Sequence, residues 1–147
     1  INSFTQLSRP RFKIRRMRKK HLLYTVALLL AFSSCHRSLE DRAARESKEY
    51  TEKKCPATID EFTIIDSITF DKETKTVHSY FSLRGNADTV GVLKDDNVRP
   101  ALIDELKRNT NNRVYKDAGF CFAYTYYSAS RKGKVLYETT LSTKDYE

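Results

Sequence analysis

The chain has 147 residues, 39% of them apolar and 31% charged, which is enough for one domain. Its net charge of +8 belongs entirely to residues 1–34, where Arg9, Arg11, Lys13, Arg15, Arg16, Arg18, Lys19 and Lys20 meet no acidic residue. From Cys35 onward 19 Lys and Arg balance 19 Asp and Glu, which excludes a general electrostatic affinity for nucleic acid.

Met17 is the only methionine and so the only conventional translation start. Residues 1–16 are therefore expected to be an upstream or artefactual segment that takes no part in the fold. From Met17 the pattern is tripartite. Arg18-Lys19-Lys20 is a basic cluster, Leu22 to Phe32 is an apolar run broken only by Thr25, and Ser33-Ser34 supplies small residues before Cys35. Residues 22–34 would span about 20 Å as a helix, well short of the ~30 Å of a bilayer core. The segment predicts a removable signal over 17–34 and not a membrane span. A buried core helix would leave the basic and small-residue flanks unexplained.

Residues 37–54, RSLEDRAARESKEYTEKK, are almost all polar and rich in helix formers. Asp41–Arg45 and Glu49–Lys53 stand four apart in the favourable order, but no sustained apolar stripe accompanies them. The expectation over 35–54 is a polar tether, partly helical and solvated. A single domain is expected over 55–147. Thr58 to Phe70 reads as a long strand, with Phe62, Ile64, Ile68 and Phe70 alternating. Thr76 to Leu83 returns as a second strand after a polar turn. Arg84 to Asp96 reads as a loop. Asp95-Asp96-Asn97 offers N-cap chemistry for a helix carrying Leu102, Ile103 and Leu106, with Pro100 in its first turn. Arg113 to Ala118 predicts a further helical turn closed by Gly119. Phe120 to Tyr127 and Val135 to Leu141 are strands joined by a hairpin turn over 130–133.

The order of helix, two strands, helix, two strands predicts an α+β fold. Two hairpins would build an antiparallel four-stranded sheet with a helix packed on one face. That architecture resembles small cystatin-like or inhibitor-like domains.

The stretch from Met17 to Cys35 resembles a Bacteroidetes-type bacterial lipoprotein signal, in which small residues precede a lipidated cysteine. Ser33 and Ser34 fit the small positions and Cys35 the lipidated one. Phe32 departs from the usual leucine of the lipobox. The resemblance implies cleavage before Cys35 and attachment to a membrane through acyl chains on it. Several chains make such an anchor stable. It also implies the cell envelope, at the outer membrane, on either the periplasmic or the surface face. Cys55-Pro56, Ile59-Asp60 and Ile65-Asp66-Ser67-Ile68 resemble an uncharacterised family of small secreted bacterial proteins, which adds a location and a fold but no reaction.

With Cys35 lipidated, Cys55 and Cys121 remain. They are either a disulfide, as an oxidising compartment invites, or two separate thiols with Cys121 a small buried hydrophobe. A Cys/His nucleophile would need one of them beside His78, which parity places as an exposed strand histidine. There is no nucleophile elbow, phosphate loop, zinc-helix motif or Cys-x-x-Cys pair, so neither a cofactor nor a metal is expected. Asp95-Asp96 and Asp104-Glu105 suit helix capping and solvation better than acid–base work. Tyr124, Tyr126, Tyr127 and Tyr137 put aromatic rings on the last hairpin, one face of which must be core. Asp66-Ser67-Ile68 and Asp88-Thr89-Val90 match a short O-glycosylation pattern of exported proteins, with Thr89 the better placed. The function expected is a non-catalytic binding or interaction domain with a protein partner in the envelope and no nucleic acid. The alternatives are an enzyme inhibitor presenting loop 84–96, or an enzyme using Cys121 or carboxylates brought together by folding.

Overall fold

The computed structural model describes residues 38–147, which make one compact unit. The expectations for residues 1–16, for the signal over 17–34 and for Cys35 lie outside the described residues.

Helix α1 (Leu39–Lys54) starts where the Ser38 hydroxyl accepts the Asp41 N–H at 3.1 Å. Glu40 and Asp41 in its first turn and Lys53 and Lys54 in its last suit the helix dipole. This helix is not the solvated tether that its composition predicts. Ala43 is 2% exposed, Ser47 is buried, and Leu39 packs against the core. Leu39, Ala43, Ser47 and Thr51 recur every four residues and form one narrow face of mostly small side chains, so the helix lies close against its neighbours. Thr51 Oγ1 donates to Ile68 O and accepts the Ile68 N–H, both at 2.8 Å. Lys72 pairs with Asp41 at 2.5 Å and Lys75 with Glu40 at 3.0 Å, which fixes the start of the helix to residues 71–75. The boundary expected at Cys55 therefore falls inside the domain.

The strand expected over Thr58 to Phe70 is two strands. A tight turn separates β1 (Ala57–Thr58) from β2 (Thr63–Asp71). In it Asp60 Oδ1 accepts the N–H groups of Phe62 and Thr63, both at 2.8 Å. β1 folds back antiparallel on β2, and β3 (Thr76–Leu83) pairs antiparallel with the other side of β2. A bulge between Ile65 and Ser67 brings Asp66 beside Ser82, whose hydroxyl donates to Asp66 Oδ2 at 2.6 Å.

The chain then crosses from β3 to β4 (Cys121–Ser128) through a short 3-10 turn (Gly85–Ala87), α2 (Asp95–Arg108) and α3 (Arg113–Asp117). That crossover returns the chain to the end of the sheet where β3 began, so β4 runs parallel to β3, with Thr76 opposite Cys121 and Leu83 opposite Ser128. β5 (Val135–Leu141) adds antiparallel to β4, and α4 (Thr143–Tyr146) follows. The fold is α+β as expected. The antiparallel four-stranded sheet is corrected to a mixed five-stranded one in the order β1-β2-β3-β4-β5. The cystatin-like or inhibitor-like arrangement, which rested on that antiparallel sheet, loses its support. α2 is capped at Lys94, whose N–H donates to Asn97 Oδ1 at 3.0 Å, so Pro100 lies one turn deeper than expected.

Each of the four helices of the described residues contributes to one core. Ala43, Leu102, Leu106, Tyr115 and Tyr146 meet Phe120, Phe122 and Leu141, with Val77, Tyr124, Tyr126 and Tyr137 around them. Phe120 is fully buried, stacks on Phe70 at 5.4 Å between ring centroids, and has its carbonyl held by the Tyr146 hydroxyl at 2.5 Å. Gly119 (φ +74°) makes the left-handed turn out of α3 that delivers Phe120 to this position. Arg99 of α2 fixes the C-terminal segment, donating to Thr139 Oγ1 at 2.5 Å and pairing with Asp145 at 2.7 Å.

Candidate functional site

Alternation along the strands sends Val77 of β3, Phe122, Tyr124 and Tyr126 of β4, and Tyr137 and Leu141 of β5 into this core. The opposite parity places His78, Tyr80 and Ser82 on the second face of the sheet, next to Ala123, Thr125 and Tyr127, with Glu138 beyond. These side chains form a connected network. His78 Nε2 lies 2.7 Å from Thr125 Oγ1, the Tyr80 hydroxyl 3.1 Å from His78 Nδ1, and Thr125 Oγ1 donates to Glu138 Oε1 at 2.9 Å. Thr125 is 1% exposed and has one proton to give. With that proton on Glu138, Thr125 accepts from Nε2–H, and Nδ1 is left to accept from Tyr80. A neutral imidazole satisfies every member. Desolvation holds the His78 pKa below its ordinary value, with Glu138 pulling weakly the other way. The His78 ring stacks on Tyr80 at 4.1 Å, and Tyr80 stacks on Tyr127 at 6.5 Å.

The sequence placed His78 on the correct face but read it as exposed. It is half-buried, and both ring nitrogens have partners. Thr125 and Glu138 were not singled out, because only the pairing of β3, β4 and β5 brings them to the histidine. The network leaves no nitrogen for a thiol. Cys55 and Cys121 are separate, half-buried thiols. Burial, aided by Asp66, raises the Cys55 pKa, so that thiol is a poor nucleophile. Register also rules out a bridge between them. Cys121 sits opposite Thr76 at one end of β3, whereas Cys55 adjoins β1, whose Ala57 is level with Phe81 at the other end. Five residues along a strand and three strands across separate them by roughly 20 Å, far beyond the ~7 Å limit for paired cysteine Cα atoms.

The acidic pairs serve structure. Asp95 accepts the Tyr137 hydroxyl at 2.8 Å, while Asp96, Asp104 and Glu105 point to solvent. Among the described residues no group of three or more His, Cys, Asp and Glu is arranged to hold a metal ion. Of the two sites matching the glycosylation pattern, Ser67 is half-buried in β2 and Thr89 is exposed.

A second feature lies at the end of the sheet where β2 and β5 begin and β3 and β4 finish. Ile59 and Phe62, Val90 and Val92, and Val135 come from three separate segments and are all exposed there. Phe62 packs against Gly85, at 3.4 Å from the position a Cβ would take. Asp88 ties the 84–94 loop to the 129–134 hairpin. Its Oδ2 accepts the Ser130 N–H at 2.9 Å, and the serine hydrogen bonds, together with nearby Arg131, lower its pKa to about 2. Val90 is 57% and Ile59 54% exposed. The sequence reading passed over it, although Val90-Gly91-Val92 in a polar loop was a visible signal.

The described residues also form clefts elsewhere. One of about 390 Å³ is lined by Lys107, Arg113, Lys116 and Tyr146, but Lys116 donates to Leu106 O and Lys107 O, and Arg113 pairs with Asp117. Another, of about 370 Å³, runs between α1 and the β2 edge beside Thr51, Ile68 and Phe70. Neither of these brings a nucleophile to a base.

The fold is shared with known structures. It superposes on a protein of Pseudomonas aeruginosa described as secreted with a TM-score of 0.60 and 17% identity, over 75% of this chain and 98% of that one. The type 2 secretion system pilotin EpsS of Vibrio vulnificus gives 0.59 and 14% identity over 76% and 94%. The type II secretion system pilotin AspS of Vibrio cholerae gives 0.55 and 16% over 78% and 98%. No curated protein matches the sequence. A family model does match, over residues 38–137, from the start of α1 to the middle of β5. The chain belongs to that family, the domain of unknown function DUF8479.

Proposed function

We propose that the chain is an envelope lipoprotein whose domain binds a protein partner without catalysis, in the manner of a secretion-system pilotin. The observation that carries this reading is the shared fold, which covers 94% and 98% of the two pilotin chains. The chemistry of the described residues is compatible with it. The one histidine among them is committed to Tyr80 and Thr125, both thiols are isolated, and the carboxylates of Asp60, Asp66, Asp88, Asp95 and Glu138 are taken up in hydrogen bonds that hold turns, strands and loops together. The sequence from Met17 to Cys35 supplies the address: removal of 17–34, acylation of Cys35, and retention at the outer membrane.

Globomycin treatment tests the anchor. The precursor should accumulate at higher mass, and a Cys35→Ala variant should lose incorporation of a clickable palmitate and leave the membrane fraction. Unchanged size and fractionation would end the lipoprotein reading. For the binding role, crosslinking in intact cells should join the protein to one recurrent envelope protein. A chain that crosslinks to nothing at native abundance would refute it.

A further inference from the structure

We propose that the part of the β2 edge left open by β1 is a strand-addition site, which takes an extended segment of a partner protein into the cleft between that edge and α1. The proposal rests on the binding role given above and not on the anchor, since every residue it uses belongs to the folded unit. β1 pairs with β2 only at Ile64 and Ile65, and a bulge between Ile65 and Ser67 follows. Beyond the bulge the edge runs on to Asp71 with no strand beside it. There the Thr51 hydroxyl accepts the Ile68 N–H and donates to the Ile68 C=O, both at 2.8 Å. It fills the place of one rung of a missing strand, and it shows that the Ile68 backbone faces outward. Backbone direction alternates along a strand, so the Phe70 N–H and C=O face outward too. Among the described residues neither has a partner.

The cleft of about 370 Å³ lies at this open rung. Ile68, Thr69 and Phe70 form one wall of it, and Ala44, Lys48 and Thr51 of α1 the other. The chemistry of the edge defines the occupant. An outward N–H and C=O on one residue match the donor and acceptor of another backbone, which is how a strand adds to a sheet. Residues opposite each other in neighbouring strands share a face. The side chain opposite Phe70 would therefore point to the α1 side, where the wall at Ala44 leaves room for small apolar groups. The residues on either side of it would lie on the face of exposed Thr69, which suits polar groups. The partner is an extended segment that alternates small apolar and polar side chains. The other edge of the sheet is blunted against the same mode. Arg99 donates to Thr140 O, and a bulge at Tyr126 and Tyr127 breaks the register of β5.

The test screens a displayed library of short peptides against the full chain and against its Ala44→Arg variant, whose long side chain fills the cleft. Selected peptides should bind the wild-type chain severalfold more tightly than the variant. In the free chain the Phe70 amide should exchange with solvent faster than the Thr69 amide, which is turned toward β3, and a bound peptide should slow it severalfold. N-methylation of alternate peptide residues should abolish binding in one phase and be tolerated in the other, because only every second N–H would face β2. Should the variant melt early, amide exchange and the N-methyl scan decide alone. A Phe70 amide already protected in the free chain, or N-methylation that costs the same in both phases, overturns strand addition. So does a library that yields no peptide distinguishing wild type from variant. Protection that appears only as the chain dimerises overturns the partner, since the occupant would be a second copy. Peptides that pass these tests while the chain crosslinks to no envelope protein leave the edge site standing and end the binding role.

Discussion

Replacing Thr51 by valine tests whether α1 is structural. The two side chains have nearly the same shape, so the change removes one hydroxyl and little packing. That hydroxyl is the partner of both the N–H and the C=O of Ile68 at 2.8 Å, on the stretch of the β2 edge that β1 does not reach. Leaving a buried polar group unpaired costs about 1–3 kcal/mol. Two groups are affected here, but the site is half-buried and water can take up part of the deficit, so the expected loss is about 1–2 kcal/mol. For a domain of this size that lowers the melting temperature by about 4–8 °C. Thr51→Ser keeps the hydroxyl and loses one methyl, for under about 1 kcal/mol. Urea titrations followed by far-UV circular dichroism, with thermal melts alongside, would measure both. The reasoning fails if Thr51→Val matches the wild type, as it would for a solvated tether, or if serine destabilises as much as valine.

Phe120→Ala should cost about 3–5 kcal/mol, because the ring is fully buried between Phe70 and Tyr115; a loss below 1 kcal/mol in the same titration would show that the core is not centred there. The His78 pKa is lowered by desolvation, so its stabilising effect is complete above the unfolded value of about 6.5 and is lost as pH falls from there toward the folded value. A ring titration followed by NMR should place the His78 midpoint below that of a model histidine, and a midpoint above it would contradict the network drawn here. Both Cys55 and Cys121 should alkylate when the non-reduced protein is unfolded, and a mass showing neither modified would mean that the two thiols are bonded.

Much of the fold was legible because strand periodicity is a local signal. Thr76 to Leu83 and Val135 to Leu141 have the bounds expected, and the helical turn at Arg113–Asp117 and Gly119 fall where expected, whereas α4 (Thr143–Tyr146) was not anticipated. Two errors had non-local causes. The parallel pairing of β3 with β4 was missed because adjacent strands were joined as hairpins, although a connection of 37 residues holding a helix is the mark of a crossover. The packing of α1 was missed because its buried face is Leu39, Ala43, Ser47 and Thr51. A packed helix is expected to show an apolar stripe, and alanine, serine and threonine scarcely register as one even though their small size is what allows close contact with a sheet. The site was less legible than the fold. Parity gave the face of His78, but its partners come from strands 47 and 60 residues away in sequence. The exposed apolar residues Ile59, Phe62, Val90, Val92 and Val135 come from two loops and the start of β5, segments that share no periodicity.

The docking of α1 also changes what the anchor can do, and a linker insertion tests that directly. A solvated segment over 37–54 would let the domain wander as far as roughly 60 Å from the lipid, presenting every surface in turn. With α1 packed, an acylated Cys35 would be linked to the domain by residues 36–38 alone, and under the proposed anchor the start of α1 would stay near the headgroups. Inserting about ten Gly and Ser residues between Arg37 and Ser38 adds a flexible span of roughly 17 Å without touching the Ser38 cap. The melting temperature and Cys35 acylation should not change, since neither the core nor the signal is altered. Lipid adducts from a probe at Glu73 should fall severalfold, because the domain is then free to tumble above the bilayer. If the Glu73 adducts persist at full yield, the 71–75 end has an affinity of its own for lipid, and the short link is not what orients the domain.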